Sequence, residues 1–121
     1  MISGVPEAGD IITINFDPQS GSEINKRRPA IVLSSFEFNK KVGQAWICPV
    51  TSKPPRNPFH VILPADIKGF KYPDAAGEVA NVKLEQLRSL DFRSRKATFV
   101  AKISSEFLNQ CRSYGIRILG G

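Results

Sequence analysis

The chain has 121 residues, 41% of them hydrophobic and 23% charged. That is enough for one compact core, and it excludes a TIM barrel, a two-domain dinucleotide enzyme and a long repeat array. Seventeen Lys and Arg against eleven Asp and Glu give a net charge of +6, which points to an anionic partner, either nucleic acid or an acidic protein segment. No run reaches the roughly 18–20 apolar residues that span a bilayer. The opening MISGVPEAGD has neither the basic nor the apolar region of a secretory leader. Cys48 and Cys111 are too few for a disulfide framework and lack metal-type spacing. The expectation is one domain, residues 1–121, in a reducing cytoplasm.

The predicted elements are mostly short strands. Ile11 to Phe16 is β-branched and aromatic and is stopped by Asp17-Pro18. Ala30 to Leu33 is a continuous apolar run of strand length. A short helical turn fits Ser35 to Asn39, and Lys40 to Gly43 reads as a turn. Ala45 to Val50 and Phe59 to Leu63 follow as strands, Glu78 to Leu87 alternates as another, and Ala97 to Ala101 is the last. Such spacing predicts a small, twisted antiparallel sheet or barrel. Ser104 or Ser105 caps a helix that places Phe107, Leu108, Cys111 and Tyr114 on one face. Gly115 is either its stop or a weak point inside it. Trp46 and Phe59 read as core, both cysteines as buried small hydrophobes, and His60 as an exposed or half-exposed strand residue.

Two segments stand out as functional loops. Asp17 to Arg28 is long for a hairpin connection and carries Glu23 and the run Lys26-Arg27-Arg28. Thr51 to Pro58 is polar and basic, holds Pro54, Pro55 and Pro58, and leaves directly from a buried strand.

The single histidine restricts the chemistry. It excludes a two-histidine acid/base pair, and no nucleophile motif lies near it. The carboxylates lack metal-binding spacing and no glycine-rich phosphate loop is present, so neither metal nor cofactor is expected. Arg, Lys, Glu, Thr and Ser on loops remain. That inventory suits phosphoryl transfer within RNA: a carboxylate takes the 2′-hydroxyl proton, Arg grips the phosphate bidentately, and hydroxyls add neutral donors.

The ordered strings carry more than this inventory. Gly9-Asp10-Ile11, Phe16-Asp17-Pro18, Gly21-Ser22-Glu23 and Arg28-Pro29-Ala30-Ile31-Val32-Leu33-Ser34 occur in sequence. Cys48-Pro49-Val50-Thr51-Ser52, Asn57-Pro58-Phe59 and Leu84-Glu85-Gln86-Leu87-Arg88-Ser89-Leu90-Asp91 continue them. Together they resemble the MazF/PemK family of type II toxin endoribonucleases over nearly the whole chain. The resemblance implies a mostly β fold, a small SH3-like antiparallel barrel with a C-terminal helix, usually in a two-fold homodimer. It implies sequence-specific, metal-independent cleavage of single-stranded RNA to 2′,3′-cyclic phosphate and 5′-hydroxyl ends. It also implies a cognate antitoxin that neutralises the toxin with an acidic, disordered segment.

By the same resemblance, Arg28 grips the scissile phosphate and Thr51 hydrogen-bonds to it. Glu23 and Glu85 both remain candidates for the base. Arg27 stands where some relatives carry His, and it cannot copy proton transfer at neutral pH. Lys26, Arg27, Ser52, Lys53, Arg56 and Lys83 are the expected RNA contacts, with Lys83 on the strand face of Glu85. Two other functions fit such a barrel: a non-catalytic RNA-binding module and a gyrase poison. Retention of both Arg28 and Thr51 favours the enzyme. The ending Ile118-Leu119-Gly120-Gly121 lacks the aromatic terminus expected of a gyrase poison.

Overall fold

A computed structural model of the protein describes residues 4–16, 27–70 and 80–121. Its elements in chain order are β1 (Asp10–Asn15), β2 (Arg27–Val32), α1 (Phe36–Val42), β3 (Ala45–Thr51) and β4 (His60–Ile62). These are followed by β5 (Asn81–Lys83), β6 (Arg88–Leu90), β7 (Thr98–Lys102) and α2 (Ser105–Ile118). The strands pair antiparallel in the order β4-β5-β3-β2-β1-β7, and β6 joins β3. The fold is therefore mostly antiparallel sheet with two helices, barrel-like but not closed into a ring of hydrogen bonds among the described residues.

β3 is the organising strand. Ile47, Cys48 and Pro49 pair with β2 along one edge. Along the other edge, Ala45 to Ile47 pair with β6, and Val50 and Thr51 pair with β5. The chain must step from β5 to β6 along that shared edge, and it does so through a 3-10 turn, Leu84–Gln86. This corrects the expectation of one alternating strand over Glu78 to Leu87. Residues 78 and 79 lie outside the described residues.

Both faces of the central strands are buried, which explains the continuous apolar runs. Ile31, Cys48, Val50, Val82 and Leu84 pack with Phe107 and Cys111 of α2 on one side. Ile12, Ile14, Ala30, Val32, Ile47, Leu90 and Phe92 fill the other. The alternation of Ile31 with Ala30 and Val32 is the two-residue period of a strand. Burial pushes the Cys111 thiol up to about 12 and raises that of Cys48 as well, so both behave as small hydrophobes.

The helices follow their caps. Ser35 accepts from the Phe38 N–H and Ser104 from the Phe107 N–H. Lys40 to Val42 form the last turn of α1 rather than a free turn, and Gly43 stops the helix at φ 77°. Gly115 lies inside α2, which continues to Ile118. Trp46 is not core: it is 44% exposed because it alternates with the buried Ala45 and Ile47, and its ring meets Phe38 edge-on. Phe59 is half-buried against the core and meets Tyr114 edge-on. Among the described residues no helix is long and apolar enough to cross a membrane.

Candidate RNA-cleaving groove

The start of β2, the end of β3 and the β5–β6 turn converge on one face. They form a groove of about 220 Å³ lined by Phe16, Arg28, Pro49, Val50, Thr51, Lys53, Lys83, Gln86 and Arg88. Among the described residues four cationic side chains border it, and no acidic one lines it. Such a concave cationic surface attracts a polyanion. Among the described residues, no three His, Cys, Asp or Glu side chains come together as metal ligands.

Strand alternation decides which of the two neighbouring arginines enters. Successive side chains of a strand point to opposite faces. Arg28 is exposed and lines the groove. Arg27 turns away. Its Nη2 donates to the Lys96 carbonyl at 2.7 Å and lies 3.1–3.2 Å from the Thr13 carbonyl, Thr13 Oγ1 and Thr98 Oγ1. Arg27 thus pins β1, β7 and the turn at Lys96, whose φ of 56° is uncommon for a residue with a side chain. It is not brought to the groove as an RNA contact.

Thr51 ends β3, so its position is set by a buried strand. Its Oγ1 accepts from the Lys53 N–H at 3.2 Å. The Asn81 amide donates to the Lys53 carbonyl at 2.7 Å and fixes the start of the following loop. Ser52 is half-buried and Arg56 exposed, and neither lines the groove. Glu23 and Lys26 lie outside the described residues.

Glu85 sits on the 3-10 turn, not on a strand face with Lys83. It does not line the groove. Its Oε2 lies 2.8 Å from His60 Nε2. Partial burial pushes its carboxyl up, but hydrogen bonds from His60, its own N–H and Asn57, together with the attraction of His60, outweigh this and hold it below its ordinary value. His60 itself is buried, contrary to the sequence expectation. The reason is that β4 pairs with β5 and its inward face lies under the Leu84–Gln86 turn.

The chain matches the model of the PemK-like, MazF-like toxins of type II toxin–antitoxin systems over residues 7–118. It belongs to that family. It is 36% identical over 105 residues to the endoribonuclease toxin MazF of Escherichia coli, covering 86% of this chain and 85% of that one. The crystal structure of MazF from Deinococcus radiodurans superposes with a TM-score of 0.77 at 38% identity, over 97% of this chain and 98% of that one. A MazE–MazF complex from the same organism gives 0.76 at 35% identity, over 96% of each chain.

Phe16, Gln86 and Arg88 are groove residues that sequence reasoning did not single out. Arg88 stands in the sequence only within the string Leu84 to Asp91. Its guanidinium stands 5.5 Å over the Phe16 ring, a cation–π contact that no sequence pattern announces. His60 was missed as a structural partner because its burial depends on a turn far along the chain.

Proposed function

We propose that this endoribonuclease toxin cuts single-stranded RNA, including mRNA, at short sequences and without a metal. The observation that carries the reading is a groove that brings four cations together with the Thr51 hydroxyl among the described residues. Arg28 grips the scissile phosphate bidentately. Thr51 donates a neutral hydrogen bond to a phosphate oxygen, and Gln86 adds another. Lys53, Lys83 and Arg88 follow the neighbouring backbone as point or fork charges. Such preorganised donors stabilise the crowded, doubly charged phosphorus centre.

The 2′-oxygen forms a bond to phosphorus as the bond to the 5′-oxygen breaks. The 2′-hydroxyl proton goes to a carboxylate base, and the 5′-oxygen takes a proton from water. The products are a 2′,3′-cyclic phosphate and a 5′-hydroxyl. Engagement of Glu85 with His60 favours Glu23 as that base. Ser52, Arg56, Lys26 and Arg27 contribute at most to the wider field around the groove.

The toxin works in the cytoplasm and is neutralised by a cognate antitoxin whose acidic, disordered segment is drawn to the +6 surface. A homodimer covers the apolar face of Trp46, Leu87, Ile116 and Leu119, where a second shallow cavity of about 210 Å³ lies.

Incubation of a long single-stranded RNA with the protein in excess EDTA tests the reading. Cutting at a few short sites, with cyclic phosphate at each upstream end, is the expected result. A folded protein that binds this RNA without cutting it would overturn the enzyme reading in favour of an RNA-binding module.

A further inference from the structure

His60 is a buried ring whose Nδ1 meets the Arg56 backbone and whose Nε2 lies near Glu85 and, at 3.4 Å, the Asn57 amide nitrogen. The Arg56 backbone N–H donates to Nδ1 at 3.1 Å. A nitrogen that accepts carries no proton, so the proton of the neutral ring is on Nε2, where it is donated to Glu85 at 2.8 Å. The side chain is 3% exposed. One neutral imidazole therefore ties the loop after Thr51 to the Leu84–Gln86 turn.

Both segments contribute to the lining of the groove. Thr51 and Lys53 stand on one, Lys83 and Gln86 on the other. Glu85 lies between Lys83 and Gln86 in sequence, so holding Glu85 holds both. On the loop side, Pro54, Pro55 and Pro58 have no N–H to donate. The Arg56 N–H is thus one of the few backbone donors available to anchor the middle of the loop.

We propose that His60, accepting at Nδ1 and donating from Nε2, is a positioning residue that clasps the two groove-lining segments together. This deepens the cleavage reading and rests on it.

The chain has one histidine, so ¹⁵N NMR of untagged protein reads its tautomer without ambiguity. The expected signature is a protonated Nε2 and a bare Nδ1. His60→Phe fills the space but makes neither hydrogen bond. It loses about 10–50-fold in cleavage, from two hydrogen bonds of up to about tenfold each, and loses exchange protection of the Arg56 amide. Glu85→Gln keeps an acceptor for Nε2–H and cuts within a few-fold of wild type.

A protonated Nδ1 in the wild type would overturn the proposal. So would an Arg56 amide equally protected in His60→Phe, or abolition of cleavage by Glu85→Gln, which would make Glu85 the base. Should the wild type fail to cut RNA, the cleavage reading fails by itself. The clasp then stands or falls on the tautomer and on Arg56 protection.

Discussion

Arg27 and Arg28 are adjacent in sequence and belong to two different regions of the molecule. Arg28 reaches into an open groove among other cations. Arg27 reaches across to β1, β7 and the Lys96 turn, where its Nη2 meets three backbone or hydroxyl oxygens besides the Lys96 carbonyl. The first region concentrates positive charge with no acid among its described lining residues, and leaves it available to a ligand. The second uses the same side chain to satisfy carbonyls and hold strands in place. Cations gathered on one concave face mark the functional face, whereas the count of arginines in the sequence does not.

The sharpest way to break the contrast is Arg28→Ala. Loss of the main phosphate grip costs about 10³-fold in cleavage rate, the upper range for removing one preorganised donor, with no change in thermal midpoint. Next in size, Arg27→Ala lowers folding stability by about 1–2 kcal/mol, since hydrogen bonds from a charged, partly exposed donor are lost. Denaturant titration reads this directly, and a midpoint equal to wild type would remove Arg27 from the scaffold. Thr51→Ala comes third. One neutral hydrogen bond amounts to about 1 kcal/mol, or several-fold in kcat/KM, measured on a short RNA containing one cut site.

The smallest effect concerns acid. The folded-state carboxyl of Glu85 lies below its ordinary value. Its contribution to stability is therefore complete at neutral pH and is lost as pH falls through the range beneath the ordinary carboxylate value. Thermal melts of wild type and Glu85→Gln should converge in that range and separate above it. Parallel curves would mean that the His60–Glu85 contact does not contribute to the fold.

Much of this architecture was legible in the sequence, because β1, β2 and β3 bury apolar side chains on both faces and so read as strand-length apolar segments. Ser104 and the spacing of Phe107, Cys111 and Tyr114 likewise announce α2. Arg28 and Thr51 could be picked out from the family's ordered strings. What could not be read depends on how distant segments meet. Trp46 has the composition of a core residue, yet alternation within β3 turns it outward. His60 looked like surface, and a 3-10 turn more than twenty residues later buries it. The turn itself was hidden by an apolar spacing that suits a strand, and it exists because β5 and β6 share one edge of β3. Arg27 looked like a groove residue because sequence adjacency does not reveal which face of a strand a side chain takes.

The most direct test of the account is a single-turnover cleavage assay of Arg27→Ala beside Arg28→Ala, in EDTA and well below both unfolding midpoints. The account predicts that folded Arg27→Ala cuts at close to the wild-type rate while Arg28→Ala loses about 10³-fold. Equal losses in both, or a larger loss in Arg27→Ala, would contradict the assignment of the groove.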